Sequence, residues 1–326
     1  MPLSILDKDF PKSQYFDHVG KYYSPCQFTA MRNLLSTIFL YYLTLKFEDH
    51  NIFLTIICLI LRAGLYVRFF VIMHDNGHEA LFKGKYLNDI CGIIVGSSIG
   101  VSYSNWKSRH NEHHRISNDL RYFQQGQSAP VCVSNFFKMK RYQQKIYLFL
   151  FSPFGMLFVL PSLYRLLNVI LMIVTDQICL VISFGIMYYK YQYYSFWYDQ
   201  CALQVGALIG LFFFHIQHTF ENVKRKENIT HIEQGLLGAS FLQVPNLLKY
   251  FTFGIEYHHI HHLNAKVPGY LLKKCHDAAE QENKDYWWMV NKVGWKEIMD
   301  IKYVLYDEKL DRLISREELK KIYNYE

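Results

Sequence analysis

Along the 326-residue chain, long apolar runs alternate with segments rich in histidine, lysine and arginine. Crossing the ~30 Å hydrocarbon core of a bilayer takes about 20 mostly apolar helical residues. Four runs approach that length, at about 28–47, 52–73, 168–189 and 196–216. Arg62 lies inside the second, and a charge at mid-bilayer costs about 2.5–3.5 kcal/mol on insertion scales. It therefore needs a partner, or a route for its long stem to the interface. Asp176 raises the same demand in the third run. Two further runs are too short or too broken to cross. Gly92, Gly96 and Gly100 punctuate 90–103, and Pro153 and Gly155 interrupt 146–160. Both are expected as in-plane or half-buried helices. The pattern predicts an all-α integral membrane protein with an N-terminal segment at 1–27, a four-span membrane domain at 28–276 and a polar C-terminal cap or tail at 277–326. That tail carries isolated Trp287, Trp288 and Trp295 and is expected to be helical around 316–323.

Charge placement sets the sides. The turns between paired spans carry only Lys46 and Lys190, whereas 74–145 holds ten lysines and arginines and the chain after Ile216 is again basic. Lysine and arginine near span ends favour the cytoplasm, so both termini and the central segment are expected there. The first residues do not read as a secretory leader or a plastid transit peptide. With 51% hydrophobic, 17% aromatic and 19% charged residues, disorder is excluded. The formal charge of +7 is membrane-side charge, since no single soluble face mixes basic and aromatic residues as nucleic-acid binding requires. Seven cysteines with no CxxC pair, several inside apolar runs, read as reduced packing thiols.

The 15 histidines change the picture. HDNGH (74–78), HNEHH (110–114) and HHIHH (258–262) each lie beyond a span end or near one, and His215 and His218 close the last span. By chance an HxxxH pair is expected roughly 0.7 times in such a chain, but an HxxHH triple only about 0.03 times. On a helix, positions i, i+3 and i+4 share a face, so each triple turns three imidazoles toward one point. Two spans separate the second and third boxes, an even number, so all boxes share one side of the membrane. His74, His78, His110, His113, His114, His218, His258, His261 and His262 make nine imidazoles. One zinc takes three or four protein ligands, so nine suit two metals with positions left open. Oxygen chemistry favours iron, although spacing does not separate iron from manganese or cobalt. No other catalytic side chain is implied. Asp75, Glu79, Glu112, Asp119, Glu221 and Glu256 lie close enough in sequence to hold the rings' second N–H groups, or are solvated charge. Placing the boxes at span ends argues against a metal transporter, whose ligands belong near the midplane.

HDNGHEALF after a span, WKSRHNEHH after a short Gly-rich run, and YHHIHHLNAKVPGY near the C-terminus resemble the integral-membrane fatty acid desaturases, in particular the acyl-lipid omega-6 (delta-12) type. The similarity runs over about 30–310, including Arg68, 87–89, Gln217 with Glu221, and 275–277. It implies a mushroom-like protein in which four spans carry a cytosolic helical cap with a histidine-ligated di-iron site. The implied reaction is O2-dependent insertion of a cis double bond into an acyl chain on lipid or CoA. Two electrons would come from an external carrier such as ferredoxin or cytochrome b5, since no fused haem-binding HPGG stretch is present. The nine histidines map onto the family's ligand positions, whereas His215 and His259 do not. Asn76 stands where the family often has Cys. A lipid or carotenoid hydroxylase or ketolase would share the same boxes. The bacterial inner membrane and the endoplasmic reticulum both remain open as hosts. An apolar tunnel is expected between spans and cap, and the aromatics of 136–158 and 212–214 either line it or are ordinary core and lipid-facing rings.

Overall fold

The computed structural model describes residues 18–48, 50–122, 130–282, 291–294 and 302–325. Trp287, Trp288 and Trp295 lie outside the described residues. Two antiparallel helices open the fold: α1, Gln27–Phe47, and α2, Ile52–Gly77. Asn51 starts α2 by accepting the Leu54 N–H on its side chain, which satisfies one of the unpaired donors of the first turn. α2 is the central element and packs against α1, α3 (Lys85–Ser98) and α9 (Phe196–His218). Gly100, at φ +69°, turns the chain from α3 into α4, Tyr103–Ile116. The short helix expected over 90–103 is Lys85–Ser98, displaced toward the N-terminus, and the next helix begins at Tyr103. The run expected over 146–160 is divided: α6, Arg141–Leu150, stops, and a π-helical turn at Gly155–Val159 leads into α7, Leu160–Thr175. A short helix, α5 (Val133–Lys138), precedes α6.

The expected span 168–189 is likewise two helices. α7 ends and α8, Gln177–Tyr193, begins at Asp176, whose backbone leaves the helical region at φ −142°, ψ 59°. The carboxylate accepts hydrogen bonds from the Ser102 and Ser104 hydroxyls at 2.8 and 2.7 Å. The charge is thus met by hydroxyls at the start of α4 and does not face lipid. Among the described residues, three helices are long and apolar enough to cross a membrane: Ile52–Gly77, Gly155–Thr175 and Phe196–His218.

Arg62 has the partners its position demands. It is fully buried and bonds Glu48 at 2.5 Å and the Thr44 carbonyl at 2.9 Å, with Asp199 at 3.9 Å. Asp199 also takes Lys190 at 3.0 Å and the Tyr66 and Tyr41 hydroxyls at 2.5 and 2.6 Å. Two cations and two carboxylates therefore neutralise one another between α1, α2, α8 and α9.

Beyond α9 the chain is not purely helical. Helices α10 (His231–Gly238), α11 (Lys249–Thr252), α12 (His258–Leu263), α13 (Gly269–Glu282) and α14 (Arg316–Tyr323) are joined by two small sheets. β1 (Ser240–Leu242) pairs in parallel with β2 (Asn291–Val293), and β3 (Tyr303–Asp307) antiparallel with β4 (Arg312–Ser315). An all-helical reading of this region is corrected by these strands. Ser315 caps α14 through a reciprocal pair of bonds with Glu318. None of the seven cysteines is in a disulfide, and Cys26 and Cys201 are exposed.

Removing one member of a buried ionic network strands its partners and typically costs about 3–5 kcal/mol. Asp199→Ala is expected to destabilise the detergent-solubilised protein by that order, read as a lower thermal unfolding midpoint. An unchanged midpoint would contradict the role given to the network.

Candidate metal centre

Four elements deliver the histidines to one place. α2 supplies His74 in its last turn, and His78 follows as its C-terminal cap. The one-face spacing of α4 presents His110, His113 and His114, α9 ends on His218, and α12 carries His258, His261 and His262. Gly254 makes the turn into α12 possible. Its φ is +93°, and a Cβ there would lie 2.1 Å from the Gly269 carbonyl oxygen.

The nine imidazoles form two groups, His74, His78, His110, His114 and His261 in one, and His113, His218, His258 and His262 in the other. Within each group the ligand nitrogens lie within 4.8 Å of one another. The groups adjoin: the rings of His114 and His262 stack at 4.3 Å. In the first, His114 Nε2 lies 3.2 Å from His110 Nε2 and 2.9 Å from His261 Nε2. In the second, His218 Nε2 lies 3.1 Å from His113 Nε2 and 2.9 Å from His258 Nε2, which in turn is 3.1 Å from His262 Nε2.

These contacts do not resolve as hydrogen bonds. A neutral imidazole nitrogen is one donor or one acceptor, so His114, His218 and His258 cannot each serve two neighbours through a single Nε2. The Nε2 atoms of His74 and His78 are buried without any hydrogen-bond partner. Protonating the rings would not relieve the crowding. Burial first, then neighbouring imidazoles, holds His110, His113, His114, His258, His261 and His262 well below the ordinary histidine value. A cation resolves the conflict by accepting every lone pair. Nitrogens bound to one ion at about 2.0–2.1 Å sit roughly 3 Å apart, as these do. The donor set is all imidazole, which suits transition metals.

Outer contacts orient part of the set. His218 donates from Nδ1 to the Gly238 carbonyl at 2.9 Å, leaving its Nε2 lone pair turned inward. Asp75 approaches His74 Nδ1 at 3.3 Å and accepts the Gly269 N–H at 2.6 Å, tying ligand helix α2 to α13. Among the six carboxylates considered from sequence, Asp75 is the one that reaches a box imidazole. Glu79 pairs with Lys107 and Lys266, Glu112 with Arg115, Asp119 with Arg121, and Glu256 accepts from Thr252, while Glu221 is exposed. His215 lies outside both groups, against Phe151, and His259 turns away to His276 at 3.2 Å. Asn76 donates to the Ile72 carbonyl and the Cys91 sulfur, not to a histidine. Trp106, which the sequence did not single out, stacks on His110 at 4.5 Å. Its only sequence signal was its place one helical turn before that residue.

A cavity of about 560 Å³ opens onto the histidines. His74, His110, His113 and His258 form one end of its lining, and Tyr66, Leu203 and Gly206 lie furthest from them along α2 and α9. From Leu203 to Gln217 it follows α9 for 14 residues, about 21 Å. Phe213 and Phe214 line it, but Phe212 and the aromatics of 136–158 do not. Phe136 is instead buried against Val304 and Leu305 of β3.

Apolar helices long enough to cross a membrane end here in two polyhistidine groups that could each hold a metal ion, beside an apolar cavity. The family model for fatty acid desaturases matches residues 50–294, three quarters of the chain, which belongs to that family. Over 266 residues it is 30% identical to a fatty acid desaturase of Bacillus subtilis, covering 74% of this chain and 72% of the relative. It is 25% identical over 292 residues to an sn-1 acyl-lipid omega-3 desaturase (ferredoxin) of a Nostoc species, covering 83% and 79%. An sn-1 oleoyl-lipid 12-desaturase of Synechocystis is 20% identical over 239 residues, covering 65% and 64%. Membership of this family makes the chain an oxidoreductase with a lipid substrate.

Elemental analysis of the purified protein is expected to find two transition-metal equivalents per chain. His261→Ala should lose about one of them and His259→Ala neither. Full retention by His261→Ala would remove that ring from the ligand set.

Proposed function

We propose that the protein is an acyl-lipid desaturase that introduces a cis double bond into a membrane acyl chain, using iron held by the nine histidines. The observation that carries this reading is the apolar cavity running along α9 and ending on His74, His110, His113 and His258. His74, His78, His110, His114 and His261 would hold one ion, and His113, His218, His258 and His262 the other. Bound iron supplies the oxidising power that side chains lack for an unactivated C–H bond, with O2 as oxidant. The balance is two methylene hydrogens, two electrons and two protons consumed with one O2, giving one alkene and two waters.

The chain's own residues contribute position and shielding. Phe213, Phe214 and Leu203 offer the acyl chain an apolar wall, which fixes the carbons opposite the histidines and excludes water. The neutral imidazoles keep their lone pairs available as ligands. The histidines and both chain ends would face the cytoplasm, with α9 returning the chain to that side. The electrons would come from a soluble one-electron carrier, ferredoxin or cytochrome b5. Ferredoxin appears in the name of the Nostoc relative, and exposed Lys138, Lys140, Arg141 and Lys145 offer an acidic carrier a basic approach.

Expression in a host lacking polyunsaturated lipids is expected to yield new double bonds, located by fatty-acid profiling, only with oxygen present. His113→Ala and His261→Ala should abolish them while the protein still inserts in the membrane. Hydroxylated chains in place of alkenes would overturn the reading. Gly210 separates cavity from metal, because it lines the cavity and a Cβ there meets nothing within 4 Å. Gly210→Leu is expected to cut product formation by about 10²-fold through misplacement of the chain, with metal content unchanged. Undiminished activity would mean the substrate lies elsewhere.

A further inference from the structure

Residues 243–255 leave the histidine end of the molecule and return to it. Leu242 N–H donates to the Glu256 carbonyl at 2.9 Å, and Phe241 pairs with Tyr257 immediately before the His258 helix. Between these points the chain runs down the side of α2. The Arg68 guanidinium donates to the Tyr250 carbonyl and lies 4.0 Å from the Tyr250 ring centroid. Further along, Phe251 packs on Gly64 so closely that a Cβ there would meet its ring at 2.7 Å.

Helices α2 and α1 both bear on the depth of this excursion. Arg68 precedes His74 by six residues and Gly64 by ten, so the α2 backbone positions that Tyr250 and Phe251 contact lie about 9 and 15 Å below His74. On α1, Arg68 also donates to Asn33 Oδ1 and Thr37 Oγ1, both at 2.8 Å. Gln27, at the start of α1, is held to the Lys83 backbone on the histidine side. Asn33 is six residues further in, again about 9 Å. At this level and deeper, α1 and α2 expose apolar side chains such as Leu35 and Ile60 to their surroundings. Leu247, at 84% exposure, and Leu248 are exposed apolar side chains as well.

Much of the backbone around the tip is hydrogen-bonded within the protein. Non-helical chain is tolerated at membrane depth only where its polar groups are satisfied within the protein. Here Leu248 N–H donates to the Pro245 carbonyl, Phe251 and Thr252 N–H donate to the Leu248 carbonyl, and Arg68 takes the Tyr250 carbonyl. We infer that 243–255 is a re-entrant hairpin whose tip, Leu247 and Leu248, is inserted among the acyl chains of the leaflet adjoining the histidines. The hairpin couples the position of the His258 helix to the bilayer and to α2. This placement rests on the membrane reading of α2 and does not depend on the reaction assigned to the site.

The test uses the full-length protein in phospholipid nanodiscs with exposed Cys26 and Cys201 replaced by Ser. Nitroxide labels are placed singly through Leu247→Cys and Leu248→Cys, with Ile60→Cys as lipid reference and Glu317→Cys as aqueous reference. Power-saturation EPR with oxygen and a water-soluble nickel chelate reads the surroundings of each. Oxygen accessibility of the two tip labels matching Ile60→Cys, with nickel accessibility several-fold below Glu317→Cys, supports the inference. Nickel accessibility equal to Glu317→Cys at the tip, with Ile60→Cys still in lipid, overturns the hairpin alone. Low access to both reagents, with dipolar broadening that spin dilution removes, would place the tip between two copies of the chain and also overturns it. An aqueous Ile60→Cys would overturn the membrane reading itself.

Discussion

Ring nitrogens of seven imidazoles, His110, His113, His114, His218, His258, His261 and His262, approach one another to about 3 Å, in more contacts than hydrogen bonds can satisfy. Hydrogen bonding satisfies only some of those nitrogens, and burial keeps several of the rings from taking a proton. A bound cation turns this arrangement from a cost into a coordination shell. The rest of the architecture follows from the need to end four separate elements at that point.

The elements that meet this need are long and apolar where they must be. α2 and α9 reach the centre with His74 and His218 in or at their final turns, so ligand positions are set by where these helices stop. α4 and α12 are short and carry three ligands each on one face. Far from the histidines, Arg62, Glu48, Lys190 and Asp199 fix the same long helices to one another. The cavity lies between these two polar anchors, alongside α9. Apolar lining therefore faces the cavity, and these four charges are held where they are paired.

Much of the centre was legible in the sequence, for a physical reason: ligand spacing on a helix is a local property. The i, i+3, i+4 pattern of His110, His113 and His114 follows from helical geometry whatever surrounds it. That Arg62 required a partner was also legible, because a lone charge in an apolar run is expensive. The identity of the partners, Glu48 and Asp199, was not, since they come from other helices. Hydropathy alone joined 168–189 into one span because it counts Asp176 as a single interruption. The structure shows that carboxylate capped by Ser102 and Ser104, a tertiary contact that ends one helix and starts another. Nearby carboxylates were over-read for a related reason. Sequence proximity to a box does not tell whether a lysine is closer, as Lys107 and Lys266 are to Glu79. The strands beyond α9 escaped because each is only three to five residues long and pairs with a distant partner.

The central claim is that these rings bind iron directly and together. Iron K-edge X-ray absorption of the purified protein tests it most directly, because the outer-shell scattering of imidazole counts the rings around each ion. With groups of five and four rings, the account predicts a first shell of nitrogen and oxygen only, with four to five imidazoles per iron on average. A first shell containing sulfur, or no more than two imidazoles per iron, would contradict it.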